Sequence, residues 1–130
     1  MEPVEIVKRS YEAFGRDDMD AVLADMHPEI EWQQAQGLPH GGVYRGVDEV
    51  RRNIFDPLES EWWETFSAEP EEFLAAGHEV VALGRYRGVA KATGRKLDVP
   101  FVHVWTLRDG QAVRFRQFLD THGWRHALGV

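Results

Sequence analysis

The chain has 130 residues and a formal net charge of −7, from 15 basic and 22 acidic side chains. This balance argues against nucleic-acid binding, which needs basic groups against phosphates, and the lack of cysteine excludes disulfides and thiolate metal sites. At this length we expect a single domain, residues 1–130. The acidic start, MEPVEIVKRSYEAF, has no cationic leader and no long apolar run. We therefore expect no signal peptide, no membrane contact and a cytoplasmic location.

Two helices are predicted at the start of the chain. The first spans about residues 3–15, and its apolar face is formed at helical spacing by Val4, Val7, Tyr11 and Phe14. Asp17 or Asp18 can cap a second helix with its carboxylate. Pro28 forbids the continuation of that helix.

A strand, a loop and a third helix are predicted next. Ile30 and Trp32 alternate with polar residues, which predicts a short strand. The segment GLPHGGVYRG, residues 37–46, is rich in glycine and is predicted to be a loop. A third helix begins near Asp48 and ends at Pro57. The following segment, LESEWWETF, fits either a helical turn or the approach to a strand.

The C-terminal half has the pattern of an antiparallel sheet. Strand-like runs cover about residues 71–76, 79–91, 96–108 and 111–120. Two of the connections, Thr93-Gly94 and Asp109-Gly110, are typical of short hairpin turns. Helices followed by a strand meander predict an α+β fold, in which helices cover one face of a curved sheet.

The turn at Asp109-Gly110 predicts the register of the last two strands. It pairs His103 with Arg116 and places Asp120 opposite Val99. Because side chains alternate along a strand, one face of the sheet would carry Phe101, His103, Trp105, Arg114, Arg116, Phe118 and Asp120.

The turn at Thr93-Gly94 extends that face to the preceding strand. It places Tyr86 near Phe101 and Gly84 near His103. Two interpretations of the face remain open. Either it is a solvated or dimer surface, or the helices cover it and enclose a pocket with apolar walls and a few polar groups.

Three segments, HPEIEW, GGVYRGVDEV and PFVHVWTLRDGQAVRFRQFLDT, resemble the SnoaL-like family of the NTF2-like superfamily. The resemblance extends from the first helix to about residue 122. It implies a cone-shaped fold, with three N-terminal helices packed on a curved mixed or antiparallel sheet that encloses a pocket. It also implies a homodimer that forms through the outer face of the sheet. The apolar surface of that face would be supplied by Val102, Val104, Val113, Phe115 and Leu119.

The resemblance implies the fold more strongly than the reaction. The superfamily includes ketosteroid isomerases, polyketide cyclases, epoxide hydrolases and non-enzymatic transport or assembly domains. The three functional positions of the isomerases match Ser10, a position near Gln34, and His103, and none has the corresponding chemical type. Isomerase activity of that kind is therefore not expected, although the match implies that His103 points into the pocket.

Three side chains are the candidate catalytic groups. Asp120 matches the acid/base aspartate that polyketide cyclases carry near the end of the last strand, and an apolar cavity would raise its pKa. His103 is the predicted polarising or second proton-transfer group, and Arg116 the supporting charge. Asp120 and His103 are predicted on the order of 13 Å apart along the sheet, which argues against direct contact. Asp98, Arg116 and Asp120 also offer the residue types of an epoxide hydrolase, but Asp98 falls on the opposite face.

The predicted walls of the pocket are aromatic. They comprise Tyr11, Phe14, Trp32, Tyr44, Tyr86, Phe101, Trp105 and Phe118. Trp62 and Trp63 fit either a lid or an interface. Among the six histidines only His122 and His126 have a paired spacing, and no nucleotide-binding glycine motif is present. We therefore expect neither a metal ion nor a cofactor.

Two classes of function follow. The first is a cofactor-independent acid/base enzyme that cyclises, isomerises or dehydrates a small, largely apolar, carbonyl-containing molecule. The second is a non-catalytic ligand-binding or protein-assembly domain of the same fold. A pocket that contains titrating His103 and Asp120 side chains would favour the enzyme, and a filled core at those positions would favour the second class.

Overall fold

A computed structural model describes residues 1–130, which form four α-helices and six β-strands. The α-helices are α1 (Pro3–Gly15), α2 (Met19–Ala24), α3 (Val47–Val50) and α4 (Thr121–Leu128). Two π-helical segments follow α3, at Arg51–Phe55 and Leu58–Trp62. The strands are β1 (Met26–Gln34), β2 (Gly42–Arg45), β3 (Trp63–Ala76), β4 (Glu79–Ala90), β5 (Lys96–Arg108) and β6 (Gln111–Leu119).

The strands form one curved, open sheet in the order β2-β1-β6-β5-β4-β3. β1 and β6 run parallel, and every other neighbouring pair is antiparallel. The predicted α+β class, with helices packed on a curved mixed sheet, is confirmed.

The first two helices form where the sequence predicts them. α1 buries Ile6, Val7 and Tyr11 and contacts α2, β3 and β4. Asp18 caps α2, because its carboxylate accepts a hydrogen bond from the backbone N–H of Ala21 at 3.2 Å. Helix α1 therefore packs on the side of the sheet formed by β3 and β4, and α2 packs against α1.

Two segments differ from the predicted secondary structure. β2 lies within the segment that was predicted to be a loop, and it pairs with β1 through Trp32 and Tyr44. β3 begins at Trp63, before the predicted start at residue 71. Its polar, edge-strand sequence weakens the alternation that would have revealed it, and Pro70 lies beside a register shift, where a proline is tolerated.

Helix α4 follows β6, in a segment for which no element is predicted from the sequence. The Asp120 carboxylate accepts a hydrogen bond from the backbone N–H of Gly123 at 3.0 Å and so caps the helix. Gly129 ends it with a φ of 78°. Trp124 and Ala127 are buried, and their spacing was a helical signal in the sequence.

The register between β5 and β6 differs from the prediction by one residue. Arg108 pairs with Gln111 as expected, but Thr106 pairs with Arg114, and Val113 is an extra residue at a β-bulge. His103 therefore pairs with Gln117. The predicted pairing of His103 with Arg116 is wrong.

This shift moves the side chains of β6 after the bulge to the opposite face. Phe115, predicted on the outer face, is 1% exposed in the core, and Gln117 is also buried. Phe118, predicted on the inner face, is 52% exposed. The Arg116 guanidinium lies on the outer face, where its Nη2 is 3.2 Å from Oε2 of Glu79.

The register between β4 and β5 also differs from the prediction, by two residues. Gly84 pairs with Phe101 and not with His103, while Ala82 pairs with His103. A shift of two keeps each side chain on its predicted face, and the Tyr86 and Phe101 rings still pack with their centroids 4.6 Å apart. A Cβ at Gly84 would lie 2.7 Å from Cζ of Phe101, so the glycine permits this close packing.

Candidate functional site

A cavity of about 60 Å³ lies between the helices and the concave face of the sheet. It is lined by 17 residues, of which 13 are hydrophobic. The remaining four are Ser10, Gln34, His103 and Gln117. An apolar cavity with a few convergent polar groups is the usual character of a small-molecule site.

The predicted aromatic wall residues occupy different places. Those that line the cavity are Tyr11, Phe14, Trp32, Tyr86 and Trp105. Phe101 lies behind this wall and stacks on His103 with ring centroids 3.9 Å apart. Tyr44 donates a hydrogen bond to the backbone carbonyl of His40 at 2.8 Å, and Phe118 lies on the outer face.

His103 lies between two tyrosines in the cavity wall and is 4% exposed. Its Nδ1 is 2.5 Å from Oη of Tyr11, and its Nε2 is 2.5 Å from Oη of Tyr86. Helix α1 supplies Tyr11, β4 supplies Tyr86 and β5 supplies His103. The fold therefore gives both ring nitrogens a hydroxyl partner from a distant part of the chain.

A second layer of hydrogen bonds holds the two tyrosines. The indole N–H of Trp105 donates to Oη of Tyr11 at 3.0 Å, and the side-chain amide of Gln117 donates to Oη of Tyr86 at 2.9 Å. The Gln117 carbonyl oxygen accepts from the backbone N–H of Ala35 at 3.0 Å. This last bond fixes which end of the amide faces Tyr86.

The site carries no charge at neutral pH. Burial lowers the pKa of His103 to about 3, because its charged form is poorly solvated there. Burial also raises the pKa of Tyr11 and of Tyr86 above the usual value, so both hydroxyls keep their hydrogens. A neutral imidazole can still accept a proton at one nitrogen while it gives one up at the other.

A second polar chain reaches the cavity through Gln34. The indole N–H of Trp32 donates to the Gln34 carbonyl oxygen at 2.8 Å, and the Gln34 amide donates to Nε2 of His40 at 2.7 Å. Nδ1 of His40 is buried without a hydrogen-bond partner. Burial lowers the pKa of His40 to about 4. The Trp62 ring covers His40 at a centroid distance of 4.1 Å, whereas Trp63 is buried in the core.

The sequence analysis did not assign a role to Gln34, Gln117 or His40. Gln34 lies two residues after Trp32 in β1, so strand alternation alone could have placed it on the same face. The side chain of Gln117 faces the cavity because of the bulge at Val113. No turn signal in the sequence reveals that bulge. The contact of His40 with Gln34 depends on the path of a loop rich in glycine.

Two of the three candidate catalytic residues lie away from the cavity. Asp120 is exposed at the N-terminus of α4, and Arg116 bonds Glu79 on the outer face. Asp98 is exposed and forms an ion pair with Arg85 at 2.7 Å. The aspartate–arginine–aspartate arrangement of an epoxide hydrolase is therefore not formed by these residues.

The structure contains no group of three or more His, Cys, Asp or Glu side chains that could hold a metal ion. None of its helices has the length and apolar character needed to cross a membrane. The candidate site is thus the neutral cluster of Tyr11, His103 and Tyr86 and the apolar cavity in front of it.

Residues 7–115 match the model of the SnoaL-like domain family. The chain belongs to this family. Its membership in the NTF2-like superfamily, expected from the sequence, is confirmed. A search of curated proteins gave no significant match to this SnoaL-like protein.

Solved structures share the fold over nearly the full length. An NTF2-like protein from Burkholderia thailandensis E264 is 38% identical, with a TM-score of 0.92 and 98% of each chain covered. An NTF2-like protein of unknown function from Burkholderia pseudomallei K96243 is 33% identical, with a TM-score of 0.90 and 100% of each chain covered. TerC, co-crystallised with polyporic acid, is 27% identical, with a TM-score of 0.87 and 98% of each chain covered.

Proposed function

We propose that this SnoaL-like protein binds a small, largely apolar, carbonyl-containing molecule in the cavity and catalyses proton transfer on it without a cofactor. The reaction would be a cyclisation, an isomerisation or a dehydration. The observation that carries the proposal is the position of His103. It lies in an apolar cavity wall with each ring nitrogen 2.5 Å from a tyrosine hydroxyl.

The proposed chemistry uses hydroxyl and imidazole groups in place of a carboxylate. Because Asp120 caps a surface helix, we assign it no role in proton transfer. In an enolisation, the substrate would lose an α-hydrogen to the oxygen of one tyrosine while that tyrosine passes its own hydroxyl hydrogen to His103. The ring hydrogen of His103 would pass to the other tyrosine, and the hydroxyl hydrogen of that tyrosine would pass to the carbonyl oxygen of the substrate. The reverse shifts would return a proton to the carbon. Hydrogen bonds in such an apolar site are electrostatically stronger than in water, so the cluster would polarise a bound carbonyl.

The size of the cavity limits the part of the substrate that reaches His103. Pockets for drug-sized ligands hold roughly 300–1,000 Å³, whereas this cavity holds about 60 Å³. We propose that a small carbonyl-bearing end of the substrate occupies the cavity. The partly buried Phe14 and Phe55 rings, which also line it, would move aside for a larger molecule. The co-crystallisation of TerC with polyporic acid supports a small-molecule ligand.

A non-catalytic ligand carrier is the second candidate. The observation that favours it is the complete set of partners around His103, whose two nitrogens both have a tyrosine hydroxyl. A neutral histidine held in this way can serve purely to orient the two tyrosine hydroxyls. Binding without turnover would then be the whole function.

The test combines binding with isotope exchange. Small cyclic and aromatic ketones are screened by thermal shift, since a ligand that binds the folded state raises its melting temperature. Each ketone that binds is then incubated with the protein in D₂O, and exchange of its α-hydrogens is followed by NMR. We expect exchange with the wild type and with the surface variant His78→Asn, and a loss of exchange with His103→Gln. Binding without exchange would identify a carrier, and no binding by any ketone would overturn both candidates.

A further inference from the structure

The hydrogen bonds around His103 leave one tyrosine hydrogen without an acceptor. A neutral imidazole carries one N–H, and the two tyrosines carry one O–H each. Each of the two short tyrosine–histidine contacts uses one hydrogen, either from the hydroxyl or from the ring. Three hydrogens therefore serve two contacts, and one hydroxyl hydrogen remains.

The neighbours of the two tyrosines cannot take up this hydrogen. Trp105 faces Tyr11 with an indole N–H, which only donates. Gln117 faces Tyr86 with its amide nitrogen, because its carbonyl oxygen is occupied by the backbone N–H of Ala35. Neither tyrosine hydroxyl makes a further hydrogen bond in the structure.

The tautomer of His103 decides which tyrosine holds the spare hydrogen. When the ring hydrogen is on Nε2, it is donated to Tyr86, Tyr11 donates to Nδ1, and the Tyr86 hydrogen is spare. When the ring hydrogen is on Nδ1, the Tyr11 hydrogen is spare. Both arrangements are uncharged and contain the same number of hydrogens. To convert one into the other, a proton must shift along each contact, the spare hydrogen must leave one tyrosine, and the other tyrosine must gain one.

We propose that the cavity recognises one hydrogen-bond acceptor of its ligand, such as a carbonyl oxygen, through this spare tyrosine hydrogen, and that the tautomer of His103 selects the tyrosine that donates. Both tyrosines and His103 line the cavity, and a buried donor without an acceptor is unfavourable. The preferred ligand is thus an uncharged molecule with an acceptor at its buried end. This inference rests on the proposed function, because it needs a small molecule in the cavity.

The probe is a pair of ligands of the same shape. Cyclopentanone has a carbonyl group where methylenecyclopentane has a carbon–carbon double bond, and both are small. Their affinities are measured by NMR titration for the wild type, Tyr11→Phe, Tyr86→Phe and Tyr44→Phe. Tyr44 is the matched control, because it is the third tyrosine of the chain and does not line the cavity.

We expect one of Tyr11→Phe and Tyr86→Phe to weaken ketone binding about threefold to tenfold relative to the hydrocarbon. In the wild type the infrared carbonyl stretch of bound cyclopentanone should fall below its frequency in hexane. The tyrosine variant that weakens ketone binding should lose this shift in frequency. The ¹⁵N NMR spectrum of the wild type should show the ring hydrogen of His103 on one particular nitrogen. This is the nitrogen that faces the tyrosine whose replacement weakens ketone binding.

Two other outcomes would overturn the inference. If both ligands bind and neither the affinity ratio nor the infrared frequency changes in any variant, acceptor recognition is wrong while a small-molecule cavity remains. If neither ligand binds the wild type, this inference and the proposed function both fail. The infrared and ¹⁵N measurements on the wild type stay decisive if a tyrosine variant does not fold.

Discussion

Tyr86 and His103 are joined by a 2.5 Å contact between Oη and Nε2, although they are not cross-strand partners. Tyr86 pairs with Val99 in the sheet, and His103 pairs with Ala82. The contact is therefore diagonal, and it spans more of the sheet than a directly opposed pair. The small Ala82 side chain opposite His103 leaves the imidazole open to a tyrosine that reaches over from further along β4.

We expect Tyr86→Phe to destabilise the fold by about 1–3 kcal/mol, because it leaves the Gln117 amide and one His103 nitrogen buried without a partner. Urea unfolding measures the change. Tyr44→Phe is the control, since it removes one hydrogen bond to a partly buried carbonyl, and it should cost about 0.5–1.5 kcal/mol. A smaller loss for Tyr86→Phe than for Tyr44→Phe would contradict the buried network.

The stability of the protein should fall as the pH falls from about 6.5 to 4. An unfolded histidine has a pKa near 6.5, whereas burial lowers the pKa of folded His103 to about 3 and that of His40 to about 4. In this window the unfolded state binds more protons than the folded state, so protonation favours unfolding. Above about pH 6.5 this loss of stability is absent, because the unfolded state no longer binds extra protons at the two histidines.

Each of these histidines should contribute about 1.4 kcal/mol per pH unit to that loss. The free energy of unfolding is measured at several pH values for the wild type, His103→Gln and His78→Asn. His103→Gln should flatten the pH dependence, and the exposed His78 should leave it unchanged. Equal slopes in all three proteins would show that His103 titrates alike in the folded and unfolded states.

Asp120 should act on stability and not on ligand binding. Asp120→Ala removes the N-cap of α4 and should cost about 0.5–2 kcal/mol. Asp120→Asn keeps a capping oxygen and should stay close to the wild type in stability. Both should retain the wild-type affinity for a bound ketone and the wild-type α-hydrogen exchange. Loss of exchange in Asp120→Asn with unchanged stability would restore the acid/base role that the sequence indicated.

Because of the bulge in β6, we expect replacement of two phenylalanines of this strand to have very different effects on stability. Phe115→Ala should cost about 3–5 kcal/mol because Phe115 packs in the core. Phe118→Ala should change the unfolding free energy by about 0.5 kcal/mol or less, since Phe118 is 52% exposed. Thermal or urea unfolding of the two variants compares them directly. The reverse order of effects would support the register without the bulge.

The elements with strong local signals were predictable from the sequence. The apolar spacing of α1, the carboxylate cap of α2 and the hairpin turn at Asp109-Gly110 all correspond to the structure. α4 was missed although its N-cap and its buried Trp124 follow ordinary rules. The predicted last strand extends to residue 120, and no element is predicted after it, although Trp124 and Ala127 have helical spacing.

The candidate site was predictable only in part. The alternation of β5 alone places Phe101, His103 and Trp105 on one face, which the structure bears out. The partners of His103 were not predictable, because one extra residue at Val113 exchanges the two faces of β6. Tyr11 comes from a helix at the other end of the sequence, and periodicity carries no information on such long-range contacts.

The most direct test of the central claim is a ¹⁵N NMR titration of His103 in the wild-type protein from pH 8 to pH 4. The account predicts one protonated and one bare ring nitrogen throughout this range, because both tyrosines bond a neutral imidazole whose burial keeps its pKa near 3. A transition of His103 to the doubly protonated form near pH 6.5 would contradict it. Such a transition would mean that the ring is solvated and that the tyrosines do not enclose it.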